Sequence, residues 1–189
     1  GVTPGGAGCS PAFPKFGVST TGDINTELIK WLETNNPSKA GVIWIDGDYD
    51  SGTVEALNTN FTLDGLTLTN MAKYALTIQG GWTGTGTTVD QFNPSEFNAS
   101  LNILDWLAPI TINDILITGA TANPHPGDKP ALLVETTKNI TLNRVQVNDN
   151  SLAGALLDNG LGASSIAPVT VNDSVFNHNV RDGLVVYSI

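Results

Sequence analysis

Cysteine and basic side chains are scarce in this chain of 189 residues, and their scarcity excludes whole classes of protein. Cys9 is the only cysteine, so no internal disulfide can form, and we interpret it as a small apolar residue. Eight basic side chains against eighteen acidic ones give a net charge of −10. Such a charge repels phosphate backbones and anionic membrane surfaces, so nucleic acid is not expected as a partner.

Histidine clusters and long apolar runs are also missing. His125 and His178 lie far apart in the sequence without the spacing of zinc ligands, so we interpret both as surface residues. No apolar run approaches the roughly 20 residues of a membrane-spanning helix, so membrane insertion is not expected. The motifs of a nucleophilic serine or cysteine are absent, and a catalytic triad therefore has no support.

What the chain does contain is a phrase of eight residues that occurs four times, starting at Phe61, Ile110, Ile140 and Val169. Apolar residues fill its first, third and eighth places, Thr fills the second, and Asn or Asp fills the fourth. This pattern predicts a strand, a polar corner and a second strand. The last three copies start 30 and 29 residues apart, and a fixed period in this range indicates a solenoid of stacked coils.

The first part of the chain reads differently. Residues 1–22 are rich in glycine and proline and carry no period, so we expect an irregular or extended arm. Residues 23–36 show a helical pattern, which Asp23 can begin as N-cap and which Asn35 and Pro37 end. We expect this helix to cover the first coil, whose apolar cross-section and strand edges would otherwise face water.

Two segments interrupt the strands and predict inserted loops. One lies near residues 80–100 and is rich in glycine and threonine, and the other spans 119–130 and contains three prolines. The last two coils share an Asn-x-Asn-x-x-x-Gly pattern, with Gly154 and Gly183 in equivalent places. Because an asparagine amide can both donate and accept, we expect these asparagines to form hydrogen-bonded ladders along the stack.

The helix before the first coil, the runs at residues 42–49 and 76–82, and the Asn-x-Asn coils resemble the right-handed parallel β-helix superfamily, the pectate-lyase-like architecture. The resemblance covers residues 23–189. It implies an all-β fold, a single right-handed parallel β-helix solenoid of about six coils with an N-terminal capping α-helix. A β-sandwich of short alternating strands is the alternative, but the continuous apolar runs favour buried parallel strands.

The apolar pattern also predicts which side chains enter the core. We expect Ile112, Leu142 and Val171 to point inward, since they occupy the third place of the repeated phrase. We expect the same of Leu156 and Val185, which lie in the apolar runs of the last two coils. Ile112, Leu142 and Val171 are predicted from the alternation of apolar and polar residues. Leu156 and Val185 lie in runs that are apolar at every position.

Asp46, Asp48 and Asp50 form the best candidate for a metal site. Three carboxylates at alternate positions of a turn can converge on a hard cation such as Ca²⁺. The segment departs from the helix-loop-helix calcium consensus, because Ser51 and Leu57 stand where that motif has glycine and glutamate. We therefore favour a solvated turn without a cofactor, with calcium binding as the alternative.

Enzymes of the superfamily that the chain resembles use paired aspartates, or calcium-bound carboxylates with a basic residue, in a groove beside the strands. The chain has two arginines, Arg144 and Arg181. Arg181 and Asp182, together with Asp173, form the one cluster worth naming for acid/base chemistry. We favour a non-enzymatic protein and assign no catalytic residue.

The four tryptophans raise the hypothesis of sugar stacking. We interpret Trp31 and Trp44 as core residues of the helix and the first strand. Trp82 and Trp106 are candidates for exposure, and Trp82, in the first inserted loop, is the candidate glycan contact. Packing is nevertheless the favoured explanation for all four.

Low lysine content, abundant threonine, asparagine and glycine, and an acidic surface favour a rigid exported scaffold. We expect an extracellular or cell-surface protein with a structural or adhesive role. The alternatives are a polysaccharide lyase or hydrolase and a carbohydrate-binding module. Residues 185–189 lie within an apolar strand, so we predict self-association through the C-terminal coil, either as a filament subunit or within a longer solenoid.

Overall fold

Three sheets of stacked strands form the described part of the protein, which in the computed structural model comprises residues 2–4, 28–49, 60–121, 130–160, 162 and 167–188. Within these residues the fold is all-β, with one short α-helix. None of the described helices has the length and apolar character needed to span a membrane. Cys9, Asp23, Asp50 and His125 lie outside the described residues, as do most of the 1–22 arm and the 119–130 loop.

The strands are short, mostly of three to six residues, as stacked coils require. In the first half of the chain the elements are β1 (Val2–Pro4), α1 (Lys30–Asn35), β2 (Gly41–Asp46), β3 (Phe61–Asp64), a 3-10 helix (Met71–Lys73), β4 (Leu76–Trp82), β5 (Ser95–Phe97) and β6 (Leu101–Trp106). The second half contains β7 (Ile110–Asn113), β8 (Ile115–Thr118), β9 (Leu132–Thr136), β10 (Ile140–Asn143), β11 (Gln146–Asn148), β12 (Ala155–Asp158), β13 (Val169–Asn172), β14 (Val175–Asn177) and β15 (Leu184–Tyr187).

The chain visits the three sheets in turn. The first sheet has the order β1-β2-β4-β7-β10-β13, the second β5-β8-β11-β14, and the third β3-β6-β9-β12-β15. Successive visits define five units: unit 1 (β2, β3), unit 2 (β4–β6), unit 3 (β7–β9), unit 4 (β10–β12) and unit 5 (β13–β15). All pairings between units are parallel, which is compatible with the predicted solenoid and differs from a β-sandwich.

Equivalent places of the repeated phrase pair with one another in units 3 to 5. Ile140 is in register with Ile110 on one side and with Val169 on the other, which confirms the spacing of 30 and 29 residues. The corner between the first and second strands of each unit has left-handed backbone, with φ of 55° at Asp114, 52° at Arg144 and 48° at Asp173. A single residue in this conformation turns the chain sharply enough to start the next strand at once.

The first copy of the phrase does not belong to this series, and the prediction of a strand, a corner and a second strand is wrong for it. Its strand, β3, lies in the third sheet, where Phe61 is in register with Leu101. After β3 the carboxylate of Asp64 accepts the N–H of Leu66 at 2.7 Å, and the Asp64 carbonyl accepts the N–H of Leu68 at 2.8 Å. These hydrogen bonds wind the chain toward the 3-10 helix instead of a second strand.

The core lies between the three sheets, and burial alternates along their strands. Ile112 and Leu142 are fully buried, as predicted. Leu156 is half-buried, whereas its neighbour Leu157 is fully buried, so the inward prediction for Leu156 is wrong by one residue. Val185 is in register with Leu156 and lies on the same outer face. In both runs every residue is apolar, so the pattern carried no information on which face is inward.

Val171 points inward as predicted, but no described residue of a further unit covers its side chain. It is in register with Leu142, yet 36% of its surface is exposed. Unit 5 is the last described unit, and no described strand stacks beyond it. The exposure therefore reflects the end of the stack and not the direction of the side chain.

The inserted loop predicted near residues 80–100 is shorter than expected. β4 continues to Trp82, and β5 supplies a strand to the second sheet, so the insertion is confined to residues 83–94. The predicted helix ends as expected: Asn36, with φ of 36°, donates its N–H to the carbonyl of Leu32. Leu28 and Leu32 are buried in the core cluster.

The N-terminal arm contributes a strand where an irregular or extended segment was predicted. β1 pairs antiparallel with β2, with Thr3 in register with Val42. β1 therefore occupies the outer edge of the first sheet in unit 1. β1 is itself the terminal described strand of that sheet.

The alternation on β12 yields a matched pair of mutations. Leu157→Ala should lower the free energy of unfolding by about 2–5 kcal/mol, because the fully buried leucine would leave a cavity. Leu156→Ala, one position earlier on the same strand, should cause a clearly smaller loss because its side chain is half-exposed. Urea unfolding measures both. A larger loss for Leu156→Ala would mean that the assigned inner face of the third sheet is wrong.

Candidate functional site

A ladder of side-chain amides runs along the carboxyl ends of the strands of the first sheet. Asn172 donates from Nδ2 to Oδ1 of Asn143 at 2.8 Å, Asn143 donates to Oδ1 of Asn113 at 2.7 Å, and Asn113 donates to Oε1 of Gln79 at 2.9 Å. Gln79 ends the ladder by donating to the carbonyl of Gly80. This ladder binds units 2 to 5 together. It was not predicted, because the expected ladders were those of the Asn-x-Asn motifs, although three of its members fill the fourth place of the repeated phrase.

A second ladder lies where the chain leaves the second sheet. Asn150 donates from Nδ2 to Oδ1 of Asn179 at 2.9 Å, and its own Oδ1 accepts the N–H of Ala120 at 2.9 Å. Asn179 donates to the carbonyl of Val147. These are the second asparagines of the two Asn-x-Asn motifs, so the predicted ladder is confirmed there. Asn150 is buried, and its amide binds the N–H of Ala120 and the carbonyl of Ile117. At a corner these buried backbone groups need a side chain as hydrogen-bond partner.

The glycine that follows each Asn-x-Asn motif is required by close packing of the backbone. A Cβ built on Gly154 would overlap the carbonyl oxygen of Gly183 in the next unit and would lie 2.7 Å from Nδ2 of Asn179. The backbone of unit 4 therefore approaches unit 5 more closely than any side chain would allow. At Gly183 a Cβ would lie 2.6 Å from the carbonyl oxygen of Phe176, so close approach of backbone requires glycine at both positions.

Charged side chains fill the corner next to the first ladder and alternate in sign along the stack. The guanidinium of Arg144 makes two hydrogen bonds to the carboxylate of Asp114, from Nε to Oδ1 at 2.6 Å and from Nη2 to Oδ2 at 2.9 Å. Asp114 is fully buried and also accepts from Nε2 of Gln79 at 2.8 Å. The hydrogen bonds to Asp114 raise the pKa of Arg144, and the charge of Asp173 in the following unit acts in the same direction.

This alternating column changes the interpretation of the arginines. Asp173 was predicted to cluster with Arg181 and Asp182, whereas the structure places it beside Arg144. Arg181 and Asp182 are exposed, and neither makes an ion pair within the described part of the chain. Nothing in the sequence signalled the partner of Arg144, because Asp114 lies 30 residues away and meets it only through the register of β7 and β10.

The candidate calcium turn is held by one hydrogen bond between its own members and by one from Asn93 in the inserted loop. Oδ1 of Asp46 accepts the N–H of Asp48 at 3.0 Å, and Oδ1 of Asp48 accepts from Nδ2 of Asn93 at 3.1 Å. The third predicted ligand, Asp50, lies outside the described residues. Among the residues that are described, no three His, Cys, Asp or Glu side chains are grouped to hold a metal ion. Calcium binding here stays a prediction.

Trp82 lies at the end of β4 and is only 4% exposed. Its indole donates from Nε1 to the carbonyl of Gly86 at 3.1 Å, and its ring centre lies 6.4 Å from that of Trp44. Trp106 is fully buried. Trp82 as a glycan contact stays a prediction, and the covered ring leaves a sugar little surface on which to stack.

His178 lies at the surface as predicted, with its Nδ1 3.5 Å from Oδ1 of Asp149 in the preceding unit. Both side chains are largely exposed, and both residues have left-handed backbone. They repeat, at the second corner, the pairing of equivalent places that Asp114 and Arg144 show at the first. A surface pair of this kind contributes little to stability.

One concave surface was not predicted from the sequence. It is a cleft of about 360 Å³ beyond the carboxyl ends of β3 and β6, where Leu66 and Leu107 are exposed and Lys73 and Asp105 supply opposite charges. No sequence pattern signalled it, since Leu66 lies inside the first copy of the repeated phrase and Leu107 lies between two copies. The cleft joins an apolar surface to two charged groups, which is compatible with a small amphipathic ligand.

Comparison of the chain with protein-family models, curated proteins and solved structures finds no match. The site therefore has to be interpreted from its own contacts. Those contacts show polar and charged side chains engaged between successive units, with donors facing acceptors and cations facing anions.

The amide ladder can be tested at its middle member. Asn143→Ala removes the donor to Asn113 and the acceptor for Asn172, so the free energy of unfolding should fall by about 1–2 kcal/mol. Asn139→Ala is the control, because Asn139 is exposed and its side chain makes no hydrogen bond to a described residue. Denaturant titration compares the two. Equal effects would show that the ladder does not stabilise the stack.

The charged column can be tested with two aspartates that share left-handed backbone. Asp114→Ala leaves Arg144 without its bidentate partner and Gln79 without an acceptor, so unfolding should become easier by about 2 kcal/mol. Asp173→Ala introduces the same backbone penalty at an exposed position and should cost less. The difference between the two thermal unfolding midpoints therefore reports the stabilisation that the buried contacts of Asp114 provide. Equal midpoints would contradict a stabilising role for the column.

Proposed function

We propose that the chain forms a right-handed parallel β-helix of the pectate-lyase-like kind and acts as a non-enzymatic structural or adhesive module, outside the cell or at its surface. Five units in parallel register support the architecture. The right hand is expected because connections between parallel strands of one sheet are almost always right-handed. The acidic composition, with a net charge of −10, is compatible with an exported surface protein.

The observation that carries the functional proposal is the use of the polar side chains. Asn143, Asn150 and Asp114 are the groups best placed for chemistry by residue type and burial, and each is engaged between units. A general acid or base must instead reach a substrate in a cleft. The polar residues therefore serve to stiffen the stack, which is what a structural module requires.

The stacking also explains why such a module is rigid over its length. No unit can bury its apolar face alone, so each depends on its neighbours, and the resulting structure behaves as a continuous rod. The amide ladder and the charged column fix the register, because a slip of one residue would separate every donor from its acceptor. A rod of this kind holds its two ends at a constant separation.

A carbohydrate-binding module is the second candidate, and the cleft near Leu66 and Leu107 favours it. Apolar surface with a few charged groups is typical of ligand sites. Glycan binding without cleavage would fit this alternative, and its loss on changing Lys73 would assign the cleft. Dependence on Trp82 instead would assign the tryptophan that sequence analysis proposed.

We expect no cleavage when the protein is incubated with acidic and neutral polysaccharides, with Ca²⁺ or with a chelator, because Asp114, the one buried carboxylate among the described residues, already binds Arg144 and Gln79. Product release measured by reducing ends and by absorbance of unsaturated sugars tests this. Turnover that disappears in Asp173→Asn or Arg181→Ala would establish a polysaccharide lyase or hydrolase and overturn the proposal. A rise in the thermal midpoint with Ca²⁺ that Asp48→Asn abolishes would identify a calcium site.

Self-association through unit 5 is part of the proposed role, since a structural or adhesive module works in contact with other molecules. Its exposed apolar residues support this. They include Val171, Val175, Val186 and Tyr187.

A further inference from the structure

Large apolar side chains that stay exposed before unit 5 gather mainly at one place. Among the described residues they are Leu66, Tyr74, Phe92 and Leu107. Leu66 and Leu107, 72% and 50% exposed, line the cleft beyond β3 and β6, and Tyr74 directly follows Lys73, which also lines it. Scattered exposed apolar residues need no explanation, whereas a cluster of them in a concave surface indicates a binding site.

The walls of the cleft are fixed by hydrogen bonds. Trp106, a fully buried lining residue, donates from Nε1 to the carbonyl of Tyr74 at 3.1 Å. Leu107 donates its N–H to the carbonyl of Ala72 at 3.0 Å, and Thr137 donates its N–H to the carbonyl of Trp106 at 3.0 Å. These contacts join the three segments that line the cleft, so its shape exists before a ligand binds, as is usual for small-molecule sites.

A bulge presents Asp105 in the cleft. The register between β6 and β9 shifts between Ile103 and Trp106, and Asp105 has left-handed backbone with φ of 52°. An extra residue in a strand bends it and re-aims a side chain, and such bulges are common next to active sites. Asp105 is exposed, lines the cleft and makes no ion pair within the described part of the chain.

The segment of residues 65–73 supplies a charge of the opposite sign. Thr69 and Lys73 lie four residues apart around the 3-10 helix, and both line the cleft. Among the described residues Lys73 has no ion-pair partner, and the hydroxyl of Thr69 has no hydrogen bond. Each of the two segments, 65–73 and 105–107, therefore brings one exposed leucine and one unpaired charge to the same cleft.

We propose that the cleft binds a small zwitterion with an apolar body, the class to which free leucine belongs. The ligand's carboxylate pairs with Lys73 and accepts a hydrogen bond from Thr69, while its ammonium group pairs with Asp105. Its apolar side chain contacts Leu66 and Leu107. Hydrogen bonds between charged groups are the strong ones, so the two ends fix the orientation of the ligand and the leucines bind its body.

Charge favours this class of ligand over the alternatives. A simple anion would lie beside Asp105 and would be repelled by the net charge of −10. A simple cation would lie beside Lys73. A neutral sugar, the ligand of the second candidate function, would offer a charged partner to neither group. A zwitterion satisfies both, and the inference goes beyond the structural role without depending on it.

Titration of the full 189-residue chain with free leucine, followed by two-dimensional NMR, tests the site. Three further probes each lack one part of leucine: isocaproate lacks the ammonium group, isopentylamine lacks the carboxylate, and glycine lacks the apolar side chain. We expect saturable shifts of the amide signals at the cleft with leucine, and binding at least about fivefold weaker with each of the other probes. Absence of saturable leucine binding, or equal binding of all four, would overturn the proposal.

Substitutions assign the two charges. Lys73→Gln should weaken the binding of leucine and isocaproate about fivefold and leave isopentylamine unchanged, because only the first two carry a carboxylate. Asp105→Asn, which keeps a residue type that accepts left-handed backbone, should weaken leucine and isopentylamine and leave isocaproate unchanged. Lys39→Gln is the control, since Lys39 is exposed and does not line the cleft. A uniform loss across all ligands, or no loss, would contradict the proposed contacts.

Other occupants of the cleft would give different results. A neutral oligosaccharide that binds in a Lys73-dependent manner, without any binding of leucine, would overturn the zwitterion and support the second candidate function. Association of the chain that Leu66→Lys abolishes, again without leucine binding, would show that a second copy occupies the cleft. Leucine binding by a chain that also cleaves polysaccharide would support this inference and overturn the structural role alone.

Discussion

The structure depends on one constraint: parallel strands in register place each residue of a unit directly against the equivalent residue of the next. Apolar residues satisfy this constraint easily, because any apolar side chain can pack on another. Amides satisfy it as well, because each carries a donor and an acceptor and can bind an identical group on either side. Charges cannot, since like charges at equivalent places repel.

The three kinds of column in this protein follow from that difference. The inward columns are mostly apolar, with Ser95 and Thr136 as buried polar members. The first ladder is an amide at every position from Gln79 to Asn172. The corner column instead alternates in sign, with Asp114, Arg144 and Asp173 in successive units. A repeat of strictly identical sequence would have placed three like charges there. The chain thus departs from its own repeat at the place where electrostatics forbids repetition.

The same constraint bears on function. At the first corner, Asp114 is held from both neighbouring units by Gln79 and Arg144, so its geometry is fixed and both of its carboxylate oxygens are occupied. Such groups contribute stiffness and register more readily than reactivity. Exposed features are found instead where the repeat is interrupted or ends, at the cleft near Leu66 and at the open face of unit 5. Interactions with other molecules are expected at those two places.

The sequence by itself determined the period, the strand–corner–strand pattern of the last three copies and the ladder of the Asn-x-Asn motifs, because these depend on residue types that recur at a fixed interval. Tertiary structure decided what a local pattern does not contain. The inner face of the run at Leu156 and Leu157 could not be read, since both neighbours are apolar and only packing selects one. The partner of Arg144 depended on register across 30 residues, and the burial of Trp82 on a contact with Trp44. Each of these outcomes is set by contacts between units. The local sequence is compatible with either outcome, so it cannot decide between them.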